Sequence, residues 1–143
     1  MRRALWLASL VLLVALPALA EVRRLEVVGV VPAGPDAPPG VPIRQAALEA
    51  ALAEGVMRVA RERLSHEAAA APDLDLGKVL GGNPREFRVG YRVLEDRGER
   101  RALLVADPEV ASEYVLQVEV DVDVSRVESA LVGAGLPIAG PAE

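Results

Sequence analysis

The sequence contains no cysteine, one histidine and few aromatic residues: one Trp, two Tyr and one Phe among 143. Without cysteine the chain has no disulfide, no thiol nucleophile and no site for lipid attachment through a thiol. His66 is the only histidine, so neither a multi-histidine zinc site nor a second histidine base is available. The scarcity of aromatic residues predicts a core of valine, leucine and alanine.

Residues 1–20 have the layout of a secretory signal peptide. Two arginines follow Met1, an uncharged and mostly apolar run covers residues 4–16, and Ala18 and Ala20 occupy the small-residue positions of a cleavage site. The apolar run is shorter than the roughly 17 to 25 residues that a membrane-spanning helix needs. We therefore expect cleavage before Glu21 and a periplasmic mature chain with no stable membrane span.

The mature chain is acidic and has the length of a single domain. Without the two arginines of the signal peptide, 14 of the 16 Lys and Arg residues remain against 21 Asp and Glu, a formal net charge of −7. This balance does not favour nucleic acid or anionic lipid as a partner. We expect residues 21–137 to form one α/β domain with its own core, followed by a disordered tail over residues 138–143.

Valine at every second position of residues 114–124, with acids between, predicts a strand with one buried face and one wet face. Further strands are predicted over residues 21–31 and 85–95, a long helix over 43–66 and a short helix over 126–134. The order β-α-β-β-α predicts an α+β fold. Its sheet is small, three-stranded and mostly antiparallel, and both helices pack on one face.

Three carboxylates, Glu119, Asp121 and Asp123, share the wet face of this strand. Such a row offers oxygen ligands for a hard cation, but it lacks the loop that wraps calcium. Antiparallel pairing with the second strand brings it opposite Arg88 and Arg92, so we interpret the row as paired with arginines.

Local signals refine the helices and the intervening segment. The mid-helix Gly55 is interpreted as a point of close approach between the long helix and the sheet. Ser125 and Glu128 have the spacing of a capping box at the start of the last helix. Glycine and proline interrupt residues 67–84, which predicts a loop with at most a short helical turn near residues 76–80.

Two segments are the candidate contacts for a partner protein. Residues 32–40 hold four prolines and two glycines, which predicts a long surface loop. The sequence Asp-Arg-Gly at 96–98 predicts a turn that ends the second strand, followed by an exposed arginine cluster. The apolar run 102–106 either extends the hairpin arm or tucks in a loop. The candidate contacts are Pro35, Asp36, Pro38, Pro39, Arg97, Arg100 and Arg101.

The residues that catalysis needs are missing from the sequence. No serine lies in a Gly-x-Ser-x-Gly elbow, and the glycine pair at 81–82 lacks the lysine of a phosphate-binding loop. We expect no enzymatic activity, no catalytic or metal-binding residue and no cofactor.

The stretches IRQAAL at residues 43–48, REFRVGYRV at 85–93 and YVLQVEV at 114–120 precede a Val-x-x-x-Leu-x-x-x-Gly-Leu-Pro pattern over 127–137. Together they resemble the N-terminal domain of flagellar assembly protein T and related bacterial periplasmic domains, over about residues 22–137. The resemblance implies a periplasmic α/β domain without catalytic residues that acts in assembly of an envelope structure, such as the ring around the flagellar motor. That protein has further domains behind the first, whereas we expect a single domain here.

Two functions follow as hypotheses. The first is a non-enzymatic interaction or assembly module of the cell envelope, with an envelope or flagellar-complex protein as its partner. The alternative is a periplasmic carrier for a small apolar or lipidic ligand held between the long helix and the sheet. The carrier requires a cavity of roughly 300 Å³ or more.

Overall fold

A computed structural model describes residues 20–140. The elements are β1 (Val22–Pro32), α1 (Ile43–Arg63), α2 (His66–Ala69), α3 (Leu76–Val79), β2 (Arg88–Arg101), β3 (Ser112–Asp123) and α4 (Val124–Gly133), with 3-10 turns at Gly34–Asp36 and Pro84–Glu86. The strands form one antiparallel sheet in the order β1-β3-β2, which confirms the predicted α+β fold. The expected signal peptide lies outside the described residues except for Ala20, and residues 141–143 lie outside them too.

The core lies between α1 and the sheet. Val118, Val120 and Val122 of β3 are fully buried, as the alternation predicted. Leu25 and Val27 of β1 lie opposite the first two of these valines and on the same face. Burying one such side chain contributes roughly 1.5 to 3 kcal/mol, so this valine row is a major source of stability.

The tightest approach of α1 to the sheet is at Gly29 of β1. A Cβ built on Gly29 would lie 1.9 Å from the carbonyl oxygen of Ala47 and 2.9 Å from Ala51 Cβ. A Cβ on Gly55 would lie 3.4 Å from Val120 Cβ, an ordinary contact distance. Gly55 therefore faces the sheet as expected, but the glycine that the packing requires is Gly29.

Three register shifts interrupt β2 where it pairs with β3, leaving Val89, Leu94 and Arg97 without an opposite residue. An extra residue changes the face on which the side chains before the bulge lie relative to those after it. Arg92 lies opposite Glu119, but Arg88, on the other side of the bulge at Val89, lies opposite Val122 rather than an acid. The predicted pairing of Arg88 with the carboxylate row is therefore wrong.

The predicted end of the second strand at residues 96–98 is also wrong. Gly98 has a positive φ of 67°, and Asp96 Oδ1 accepts a hydrogen bond from Gly98 N at 3.1 Å. This local geometry makes a bulge within β2 instead of a turn, and the strand continues to Arg101. The connection between β2 and β3 is therefore residues 102–111, so the run 102–106 lies in a loop and does not extend the hairpin arm.

Asp123, not Ser125, caps α4. Its side chain accepts a hydrogen bond from Arg126 N at 3.1 Å, and the helix begins at Val124. Ser125 therefore lies inside the first turn, where its carbonyl oxygen accepts from Ser129 Oγ at 2.8 Å. The predicted capping box is wrong because the helix starts two residues earlier than its sequence signal.

Replacing these two residues by alanine should separate the true cap from the apparent one. We expect Asp123→Ala to lower the free energy of unfolding by about 1 kcal/mol, because the N-terminal amides of α4 lose their acceptor. Ser125→Ala should change it by less than about 0.5 kcal/mol. Urea unfolding followed by circular dichroism measures both, and a larger effect at Ser125 would contradict the assignment.

The end of α1 is tied to residues beyond the predicted domain boundary. α1 ends at Arg63, and His66 begins α2 instead of closing the long helix. Ile138 pairs with Leu64 in an isolated bridge, and Ala139 N donates to Arg63 O at 2.8 Å. The ordered domain therefore continues past residue 137, and the tail predicted from residue 138 is corrected at these positions.

Candidate functional site

Two loops leave the same end of the sheet. Residues 33–42 follow β1, and residues 102–111 connect β2 to β3. Ala33 N donates to Ser112 O at 2.9 Å, which joins the base of the first loop to the start of β3. We call these two segments the loop end. The proline-rich loop, one of the two predicted contact segments, thus lies beside the 102–111 connection, which follows the strand that carries the other.

The proline-rich loop displays most of its candidate contacts. Pro35, Asp36 and Pro39 are exposed, and Pro38 is half-buried. A short 3-10 turn over Gly34–Asp36 begins directly after the buried Ala33. The proline-rich loop therefore begins at a buried residue, which fixes its position at the loop end.

The three candidate arginines lie in β2 and not in a turn. Arg97 Nε donates to Glu95 at 2.9 Å, and its Nη2 donates to Gln117 at 3.1 Å. Arg100 Nε donates to Glu113 at 3.0 Å. Arg101 is exposed and forms no ion pair within the described part of the chain. Only Arg101 of the three therefore presents a charge that is not already paired.

Glu113 is a fully buried carboxylate on the outer face of β3. Its Oε2 accepts hydrogen bonds from Leu104 N at 2.8 Å and Val105 N at 3.0 Å, and its Oε1 accepts from Arg100 Nε. Burial by itself would raise the pKa of Glu113. The backbone donors, including Leu103 N, and Arg100 outweigh it, so the pKa lies below its ordinary value of 4.5.

The bonds to Glu113 hold the 102–111 loop across the outer face of the sheet. Val115, on the same face two residues further along β3, is fully buried. Leu103 and Leu104 remain 72% and 55% exposed. We call these two residues the leucine patch. It is an apolar pair fixed to the sheet by a buried acid, rather than the tip of a loose loop.

Sequence reasoning missed both Glu113 and the leucine patch. A glutamate on the outward face of a strand is usually solvated, so nothing marked Glu113 as an anchor. The two adjacent leucines belong to the apolar run 102–106, which does not mark them out from their neighbours. Their exposure depends on the route of the loop, which the sequence pattern does not give.

The rest of the outer face carries arginine-paired carboxylates. Arg24 of β1 donates to both carboxylate oxygens of Asp121, at 2.7 and 3.2 Å, and Arg92 lies 3.2 Å from Glu119. The hydrogen bond from Arg24 holds the pKa of Asp121 below its ordinary value. The predicted arginine pairing is therefore confirmed for these two carboxylates, although Arg24 was not foreseen. Residues 20–140 contain no group of three or more acidic or histidine side chains placed to hold a metal.

A second polar cluster joins the first turn of α1 to the sheet. Tyr114 OH donates to Asp96 Oδ1 at 2.7 Å, and Arg44 Nε donates to Asp96 Oδ2 at 2.8 Å. These bonds lower the pKa of Asp96, and the carboxylate in turn raises the pKa of Tyr114. The cluster fixes the first turn of α1 against β2 and β3.

The carrier hypothesis remains a prediction. One apolar hollow between α1 and residues 77–84, lined by Val56, Met57 and Leu80 among others, has a volume of about 80 Å³. A larger hollow of about 450 Å³ between α1 and β1 is wide open to solvent and is lined by charged as well as apolar side chains. Sites for small organic ligands are typically about 300 Å³ or larger. No helix within residues 20–140 combines the length and the apolar character that crossing a membrane requires.

Comparison of the chain with family models, with curated proteins and with solved structures gives no match. The resemblance to the N-terminal domain of flagellar assembly protein T therefore stays a prediction.

Proposed function

We propose that this protein is a non-enzymatic interaction module of the bacterial cell envelope and that the leucine patch is its main partner contact. The observation that carries the proposal is the exposure of Leu103 and Leu104 on a loop held by the fully buried Glu113. An acid buried beneath a surface loop is costly unless it is hydrogen-bonded. Here its bonds hold two leucines in a fixed position facing solvent.

Fixing the loop in advance favours binding. A leucine that moves from water into a partner's apolar pocket contributes roughly 1.5 to 3 kcal/mol. A rigid loop loses little conformational freedom when it docks, so more of this energy appears as affinity. Two neighbouring leucines of this kind have the character of an interface hot spot, even though leucine is less frequent there than tryptophan or arginine.

The surroundings of the leucine patch indicate the chemistry of the partner. Arg101 is exposed beside the patch, and the prolines of residues 33–42 lie at the same end of the sheet. We expect a protein surface with an apolar pocket, a carboxylate that meets Arg101 and a contact for the proline-rich loop. The signal-peptide pattern and the resemblance to flagellar assembly protein T support a periplasmic envelope complex, such as the flagellar ring, as the source of this partner.

Crosslinking and affinity purification from the native periplasm should recover an envelope-complex protein with the wild-type chain. We expect the double variant Leu103→Ser/Leu104→Ser to lose at least about tenfold in the recovered partner, because two apolar contacts are removed. The matched control is Val132→Ser, which changes a side chain on α4 that is 56% exposed and lies outside the loop end. The control should recover the same partner in full.

Full recovery of the partner with the leucine variant would overturn this contact site. Recovery of a clean monomer that carries lipid would overturn the interaction module and favour the carrier. Circular dichroism of both variants verifies that the fold is retained, so loss of the partner cannot be attributed to unfolding.

A further inference from the structure

The free edge of β1 is regular, whereas that of β2 is not. β1 pairs with β3 through eleven consecutive residues without a register shift, while three shifts interrupt β2. Bulges on an edge strand hinder pairing with another chain, and a long regular edge permits it. Within residues 20–140, β1 therefore offers the regular edge to which a further strand can add.

The direction of the backbone groups in β1 follows from the neighbouring strands. Asp123 N donates to Phe87 O at 2.8 Å on the β2 side. The backbone N–H and C=O groups of the odd-numbered residues of β3 therefore point to β2, and those of the even-numbered residues point to β1. In β1 the backbone N–H and C=O groups of the even-numbered residues consequently point to the free edge. Arg58 of α1 agrees with this assignment, because its Nη1 donates to Glu26 O at 3.3 Å.

The outer-face side chains of the same residues form a self-complementary pattern. They are Val22, Arg24, Glu26 and Val28, in the order apolar, basic, acidic, apolar. When a second copy runs antiparallel about a two-fold axis at Leu25, Arg24 lies opposite Glu26 of that copy, and Val22 lies opposite Val28. The two valines are 46% and 40% exposed in the single chain.

Glu26 lies in an unfavourable electrostatic environment, which this pairing relieves. It lies opposite Glu119 of β3, and like charges directly opposite one another are unfavourable. Arg24 and Arg92 both lie near Glu119, but the side chain of Glu26 forms no ion pair within the described residues. Arg24 of a second copy would supply the missing cation.

We propose that two copies of the chain pair through β1 in this register and form one continuous six-stranded antiparallel sheet. An open hollow of about 450 Å³ lies along β1, with Ala50 and Glu54 of α1 on its other side, so there is room beside the strand. Two α1 side chains contact β1 near this edge: Arg58 donates to Glu26 O, and Glu62 lies 3.7 Å from Arg23. Both are partly exposed, and Arg58 must move away from Glu26 O when the strands pair. The two loop ends then lie at opposite ends of the dimer, and Leu104 of the leucine patch lines the same hollow as Glu26 and Val28.

Sedimentation velocity of the purified chain over a range of concentrations should show a reversible dimer. We expect Glu26→Arg to raise the dimer Kd at least about tenfold, because two basic residues then face two basic residues across the axis. The substitution places a cation opposite Glu119, so the fold should be kept. Glu109→Arg makes the same charge change on an exposed loop residue and should leave the Kd unchanged. An E26R dimer as tight as the wild type overturns the proposal, as does a wild-type monomer at all concentrations.

A single introduced cysteine tests the register directly, because the chain has no cysteine of its own. Leu25→Cys places two thiols in a non-hydrogen-bonded antiparallel pair with Cα atoms about 4.5 Å apart, within the range for a disulfide. Val28→Cys places them about 20 Å apart. Oxidation should therefore link the first variant into a covalent dimer and leave the second unlinked. The reverse result, or the capture of a different protein at this edge in place of the second copy, overturns the proposal.

Discussion

Replacing Gly29 by alanine should destabilise the protein more than the same substitution at any other glycine in its strands. The new Cβ would lie 1.9 Å from the carbonyl oxygen of Ala47, and no real side chain approaches a backbone oxygen that closely. The obstacle is the backbone of α1 and not the end of a flexible side chain. α1 must therefore move away from β1, which loosens contacts along the whole core.

We expect Gly29→Ala to lower the free energy of unfolding by at least about 3 kcal/mol, the upper range for overpacked cores. Urea unfolding monitored by circular dichroism measures this loss. Gly90→Ala is the matched control, because Gly90 is also in a strand and a Cβ there meets nothing within 4 Å. The control should stay within about 1 kcal/mol of wild type.

Equal stability of the Gly29 and Gly90 variants would mean that α1 does not approach β1 as closely as described. Gly55→Ala adds a separate comparison within α1. Its Cβ would lie 3.4 Å from Val120 Cβ, and alanine favours a helix over glycine by about 1 kcal/mol. We therefore expect this third variant to be close to neutral or slightly stabilised.

The sequence specified the central strand well because β3 alternates between buried and partly exposed residues from Leu116 to Val122. Val118, Val120 and Val122 alternate with Glu119 and Asp121, and period-two alternation has one structural solution in a half-buried strand. The order of elements and the antiparallel sheet followed from the same reasoning. The residue pattern is sufficient to predict a strand where each of its residues lies opposite one residue of the neighbouring strand.

β2 shows where pattern is not sufficient. Phe87, Val89, Tyr91 and Val93 alternate in sequence, yet Val89 is an extra residue at a bulge and is 61% exposed. A bulge depends on how the partner strand and the helices constrain the chain, which is tertiary information. The Asp-Arg-Gly sequence at residues 96–98 is ambiguous for the same reason, since a turn and a bulge use the same carboxylate and the same left-handed glycine.

The proposed contact surface was predictable only in part. Proline content alone predicted a loop over residues 32–40, close to the 33–42 loop of the structure, because proline cannot take part as a donor in a strand ladder. The leucine patch depends on Glu113, whose partners are the backbone amides of a loop some nine residues away in sequence. No sequence pattern links a strand glutamate to amides of this kind, so the position of the site had to come from the structure.

Replacing Glu113 by glutamine should give the second largest loss of stability and should also release the leucine patch. The amide keeps the size of the side chain but lacks the charge that binds Arg100 Nε and the amides of Leu104 and Val105. A hydrogen bond to a charged group contributes about 1.5 to 3 kcal/mol, and an unsatisfied buried donor adds a further cost. We expect the free energy of unfolding at pH 7 to fall by about 3 kcal/mol.

The same variant should change how stability depends on pH. The pKa of Glu113 is lowered in the folded chain, so its contribution is present above the unfolded value near 4.5 and is lost as the pH falls through the folded pKa. Asp96 and Asp121 act in the same direction. Wild type should therefore lose stability below about pH 4.5, and the difference between Glu113→Gln and wild type should shrink as the pH falls.

Urea unfolding at pH 7 and at successively lower pH measures both effects, with Glu109→Gln as the control in the same loop. Glu109 is exposed, so its variant should follow the wild-type curve. A Glu113→Gln variant within about 0.5 kcal/mol of wild type at pH 7 would show that the loop needs no buried anchor. If the anchor holds the leucine patch in place, this variant should also lose the proposed envelope partner while Leu103 and Leu104 are unchanged, because the loop must then be ordered at the moment of binding.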